Sequence, residues 1–144
     1  MQVKIKKLHP SAVIPTYAKD GDAGMDLTAV SCVIDEQNGQ TNYGTGLSFE
    51  IPQGYVGLIF PRSSIRKTVL SLTNCVGVID SGYRGEVSFT FRAHDVGDVF
   101  GKIYRVGDKI GQIIIMPYPK IEFQEVDELS ITERGSGGFG STGI

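Results

Sequence analysis

The chain has 144 residues and a mass of 15.6 kDa, material for one domain. Fourteen lysines and arginines against sixteen aspartates and glutamates leave a formal charge of −2. That balance argues against a sequence-independent grip on duplex DNA, which wants a basic surface, but leaves room for a small anionic ligand held by two or three well-placed cations.

With 40% hydrophobic and 21% charged residues, a core is available and disorder is not indicated. Glycine is the outlier, at 19 of 144, and with no G-X-Y period the glycines must supply turns, bulges and close backbone approaches. Cys32 and Cys75 lack C-x-x-C spacing, and His9 and His94 complete no zinc pattern, so both cysteines are expected to be reduced. MQVKIKKLHP at the start has charges but no apolar run of signal-peptide length, and no segment is apolar for the length of a membrane span. The expectation is a soluble protein, cytoplasmic or otherwise intracellular, with no nucleic-acid and no membrane partner.

In chain order, Val3, Ile5 and Leu8 give a first alternating stretch, and AGMDL at 23–27 places a carboxylate inside a locally apolar strand. Residues 32–45 are polar for a strand and are expected to form a long loop. Leu47, Phe49 and Ile51 alternate again, and YVGLIF at 55–60 has the continuous apolar character of a buried strand. After Pro61 the spacing predicts a short helix within 63–72, capped by Ser63 or Ser64 and weakened by the β-branched Thr68 and Val69. GVIDSGYRG at 77–85 predicts a hairpin that leads into EVSFTFRA, where Val87, Phe89 and Phe91 give the clearest period of two. IGQIIIMP at 110–117 predicts a second buried strand and IEFQEV at 121–126 a further one. Many short strands between turn signals imply an all-β sandwich or barrel. The last eleven residues, RGSGGFGSTGI, hold five glycines, and such a tail cannot bury enough surface to offset its own ordering entropy.

Several residues are equipped for chemistry. Arg62 follows an apolar strand and precedes two serines, a suitable donor set for phosphate. Asp80 sits at a tight turn beside Tyr83, as a turn-forming residue or as a general base. Asp26 needs a pocket, a cation-bound water or a hydrogen-bond partner, because burying its charge unpaired is costly. The tail has the glycine spacing of a phosphate-cradling loop at 135–140, but Ser141 stands where the lysine belongs and no helix can follow, so it is not a Walker loop. Glycine amides and Arg134 remain as phosphate donors.

Taken together, AGMDL at 23–27, PRSSI at 61–65, NCVGVIDSGYRGE at 74–86, GDKIGQIII at 107–115 and RGSGGFGSTG at 134–143 resemble the five ordered motifs of the trimeric dUTP diphosphatase (deoxyuridine triphosphatase) family. The resemblance implies a jelly-roll-like β barrel over residues 1–133 with one short helix. It implies a mobile glycine-rich arm, 134–144, that closes an intersubunit site of a homotrimer. The implied reaction splits dUTP into dUMP and pyrophosphate, with Mg²⁺ as cofactor. Asp80 matches the catalytic carboxylate that orients and deprotonates the water attacking the α-phosphorus. Aspartate, with an ordinary pKa of about 4, is a weak base, so its service comes mainly from positioning. Asp26 matches the second catalytic carboxylate, which touches the metal through water while the substrate phosphates chelate it. Arg62, Ser63, Ser64 and Gln112 match phosphate contacts. Asn74, Gly77 and Ile79 match the strand edge that reads uracil, and Tyr83 matches the ring beneath the deoxyribose. In the arm, Arg134, Gly140, Ser141 and Thr142 match groups around the terminal phosphates, and Phe139 the ring that covers the base. The rival on the same barrel is a dCTP deaminase, for which the arm argues poorly; the rival from another class is a nucleotide-sensing module that binds without turnover.

Overall fold

In the computed structural model, residues 1–94 and 102–138 are described. The chain is built from strands, each antiparallel to its partners. β1 (Lys4–Lys7) pairs with β5 (Leu47–Glu50) as a two-stranded ribbon. One four-stranded sheet has the order β2 (Met25–Thr28), β10 (Lys109–Pro117), β6 (Tyr55–Phe60), β8 (Gly77–Ile79). The other has the order β3 (Ser31–Asp35), β4 (Gln40–Gly44), β9 (Ser88–Ala93), β7 (Leu70–Leu72).

The alternation of β9 does what its sequence implies. Phe89 and Phe91 are fully buried while Ser88 and Thr90, which alternate with them, are not. Their rings stack with centroids 6.1 Å apart, Tyr43 of β4 meets Phe91 edge-on at 5.9 Å, and the Tyr43 hydroxyl donates to the Tyr104 carbonyl at 2.9 Å. From the other sheet, β10 contributes Ile110 and Ile113, both fully buried. Between them lies Gly111, where a Cβ would run into the Phe89 ring. The two sheets touch there because one of them carries no side chain at that point.

The barrel expectation is corrected. Among the described residues neither four-stranded sheet closes: β2 and β8 are open edges of the first, β3 and β7 of the second. Alternation specifies which face of a strand is buried but not which edges pair. Here the chain crosses from one sheet to the other after β8, so 77–85 is not a hairpin of mutually paired strands; β8 pairs with β6, and β9 pairs with β4 and β7. The expected helix is a 3₁₀ turn, Ser63–Lys67, with Arg62 at its N-cap and no side-chain cap. It stops at Thr68, whose N–H bonds the Ile65 carbonyl, and the β-branched Thr68 and Val69 lead the chain out of the turn to β7.

Two further expectations change. Residues 32–45 hold the β3–β4 hairpin rather than a long loop, its turn secured by Asp35 accepting from the Asn38 backbone and side chain at 3.1 and 2.7 Å. β3 is exposed along its whole length, so it has no buried face to print an apolar period. Residues 121–126 form no strand: they are exposed throughout and pair with no other strand among the described residues. No helix among the described residues is long and apolar enough to cross a membrane.

Candidate active site

Strand register assembles the first cluster. β10 lies between β2 and β6, which sets Gln112 opposite Asp26 on one side and opposite Phe60 on the other. Arg62 follows β6 by two residues and turns back, its Nε donating to Asp26 Oδ1 at 2.7 Å. Lys109 Nζ lies 3.0 Å from Asp26 Oδ2. Gln112 Nε2 donates to the Pro61 carbonyl at 3.1 Å, which ties β10 to the arginine-bearing segment. Gly24 keeps the space open, since a Cβ there would overlap Gln112 Oε1. These groups line a polar cleft of about 510 Å³.

Burial raises the Asp26 pKa and is the largest single effect. Hydrogen bonds from Lys109 and Arg62, with their positive charge, outweigh it and hold the carboxyl below its ordinary value of 3.8. A folded-state pKa below the unfolded one contributes stability above the unfolded value, and this is lost as pH falls through the folded pKa. Asp26→Asn should therefore unfold at lower urea than the parent at pH 7, and the gap should close as pH is taken below 3.8. An equal gap at pH 7 and at acid pH would show that the carboxylate's charge is not what matters.

The second cluster surrounds the open edge of the first sheet. β8 is backed by β6, and Gly77 lies so close to Ile59 that a Cβ would collide with it. A turn that carries Cys75 at φ 59° delivers Asn74 to the mouth of the cleft. Asp80 follows β8 and opens a second turn, where its carbonyl accepts from the Tyr83 N–H at 3.0 Å. Asn74, Gly77, Ile79, Asp80, Tyr83 and Glu86 line a cleft of about 200 Å³. The outer edge of β8 has no strand partner among the described residues, so backbone polar groups there are free for a planar ligand.

The structure thus unites Asp26 with Arg62 and Gln112, and Asp80 with Asn74, Gly77, Ile79 and Tyr83. The two clefts share no lining residue within one chain. Ser63 is exposed on the 3₁₀ turn, and Ser64 lines an adjoining cleft with Arg62, Lys67 and Lys109. Arg134 is exposed, its Nε donating to the Gly137 carbonyl at 3.0 Å. Phe139, Gly140, Ser141 and Thr142 lie outside the described residues. Lys109, like Thr16 and Asp22, lines the phosphate-like cleft without having been singled out from the sequence, and it is the one of the three that pairs with Asp26. It sits where the β10–β2 register shifts between Lys109 and Gly111, and no alternation count shows such an irregularity.

The dUTPase family model matches residues 11–143. The chain belongs to the dUTPase family. A deoxyuridine 5′-triphosphate nucleotidohydrolase of Nautilia profundicola is 43% identical over 144 residues, covering 99% of both chains. That of Alkaliphilus metalliredigens is 40% identical over 143 residues, covering 99% of this chain and 97% of the relative. Among solved structures, the dUTPase of Staphylococcus bacteriophage 80alpha with dUPNHPP superposes with a TM-score of 0.82 at 30% identity, covering 99% of each chain. The dUTPase from phage phi11 of Staphylococcus aureus gives 0.72 at 26% identity, covering 90% of this chain and 98% of that one. The membership implied by the five motifs therefore stands, and for this dUTPase the open question is how its two clefts are used.

Proposed function

We propose that the two clefts of this dUTPase are the nucleoside half and the phosphate half of one site, completed between subunits of a homotrimer. The reaction itself follows from the family: dUTP is hydrolysed to dUMP and pyrophosphate. The observation that carries the proposal is the split within one chain. A reading edge with a carboxylate and an aromatic ring lies in one cleft, and Arg62, Lys109 and Gln112 lie in the other.

In this scheme the free edge of β8 and Asn74 pair with uracil, where a cytosine amine would present a donor to a donor and leave buried polar groups unmatched. Asp80 orients the attacking water and takes its proton as the water adds to the α-phosphorus, and pyrophosphate leaves on the opposite side. Arg62, with Ser63, Ser64 and Gln112, holds the phosphate oxygens, and Arg134, Gly140, Ser141 and Thr142 of the arm cover the terminal phosphates while Phe139 covers the base. Such a nucleotide hydrolase works on intracellular pools, and no nucleic acid or membrane enters the scheme.

Among the described residues no three His, Cys, Asp or Glu side chains converge as a resident metal site needs, and both Asp26 oxygens are engaged by cations. Magnesium would fit here as part of a metal–triphosphate substrate, with Asp26 as the residue that would hold it through water. What the ion supplies is charge neutralisation on the leaving pyrophosphate.

Pyrophosphate release from dUTP, with none from UTP and no ammonia from dCTP, tests the substrate assignment. In the same assay Tyr83→Ala should raise kcat/KM for UTP relative to dUTP by about tenfold or more, because the ring that collides with a 2′-hydroxyl is gone. An unchanged ratio would refute the steric account of sugar selection.

A further inference from the structure

Tyr83 is 45% exposed, and a ring so placed does not hold its own position. Its seat is the segment just after it. Residues 84–87 are pinned along 45–48 by five hydrogen bonds, one of them from Thr45 Oγ1 to the Val87 carbonyl at 2.6 Å. Ser48 Oγ donates to the Arg84 carbonyl at 2.7 Å, and the Gly46 N–H to Glu86 Oε1 at 2.6 Å. The Thr45 N–H donates to the Val87 carbonyl at 3.2 Å, and the Val87 N–H to the Leu47 carbonyl at 2.9 Å. Onto this fixed backbone the Tyr83 side chain folds back, its hydroxyl donating to the Glu86 carbonyl at 3.1 Å. In between is Gly85, where a Cβ would overlap Tyr83 Oη and Cζ and stand 2.9 Å from Cε2.

We infer that Gly85 is a specificity-setting positioning residue: the bare backbone on which the Tyr83 ring rests, fixing the ring's height against the 2′ carbon of a deoxynucleotide and so excluding ribonucleotides. The inference deepens the proposed use of the Tyr83 cleft and rests on it. Because 84–87 is held from the other side, a methyl group at Gly85 is accommodated by displacing the ring and not the backbone. The displaced part is the far end of a partly exposed side chain, so the fold tolerates the change. A ring pushed away from the sugar admits the 2′-hydroxyl; a ring pushed into the sugar's place impairs dUTP while UTP is already rejected. Both displacements shrink the difference between the two substrates.

The test measures kcat/KM for dUTP and UTP in four proteins: parent, Gly85→Ala, Tyr83→Ala and the double variant, with thermal melts alongside. Gly85→Ala should lower the dUTP-to-UTP ratio about tenfold, and the double variant should match Tyr83→Ala alone, since Gly85 acts only through the ring. A role in folding alone would lower both substrates in proportion and leave the ratio intact. If Tyr83→Ala changes the ratio and Gly85→Ala does not, the seat is refuted while sugar selection by the ring stands. If neither changes it, the underlying use of the cleft fails and the inference with it. An additive double variant would also overturn the inference, because Gly85 would then act by another route.

Discussion

Asp80→Asn should lower kcat for dUTP by about 10²–10⁴ with little change in melting temperature. The side chain is exposed just after a three-residue strand, where an isosteric amide disturbs no core contact. An amide cannot take the proton from water, so the loss falls on the chemical step and nucleotide binding should persist. The same variant probes the split between the clefts. Arg62→Ala disables the phosphate half and removes the 2.7 Å pairing with Asp26. If each active site draws its two halves from different subunits, refolding Asp80→Asn together with Arg62→Ala should restore part of the activity. Sites that receive an intact half from each chain are then formed. Two inactive variants that stay inactive when mixed would mean that both halves are used within one chain.

Deleting residues 134–144 is the second large effect. The truncated protein should keep its oligomeric state and its unfolding midpoint, because 134–138, the described part of the arm, lies on the surface outside the sheets. Turnover should fall by about 10²–10³, the loss expected when donors aimed at developing phosphate charge are removed. Fast mixing would separate this from weaker binding alone: the drop should persist at saturating dUTP. Normal turnover by the truncated chain would leave the arm without a catalytic role.

How far the site was legible from the residues differs between its halves. Asp26 and Arg62 stood out for stated reasons, a carboxylate in an apolar strand and an arginine before serines, and Gln112 through the resemblance of its motif. Their mutual contact was not legible, because it depends on β10 pairing with β2 on one edge and β6 on the other. Gln112 meets Asp26 only through that register, and Lys109 joins them only at an irregularity in it. The Tyr83 half was more local. Asn74, Gly77, Ile79, Asp80 and Tyr83 are close in the chain, so turn chemistry alone brings them together; yet their seat on residues 45–48 is a long-range contact that no local pattern contains.

Strand content followed from the amino acids where one face is buried. Phe89 and Phe91 announce β9 because solvent exclusion acts on every second residue, and YVGLIF announces β6 by its continuous apolar run. The same logic fails where no face is buried, as in β3, and overreaches where apolar residues find no partner, as in 121–126. Thus composition, periodicity and the five motifs determined by themselves that this is an all-β protein of the dUTPase family with named candidate groups. Only the tertiary structure decided that the sheets stay open, that 77–85 joins two sheets, and that the groups divide between two clefts. Burial patterns act along one strand and are encoded residue by residue, whereas edge pairing and cleft assembly are choices among distant partners, made by register and by where a glycine lets two surfaces meet.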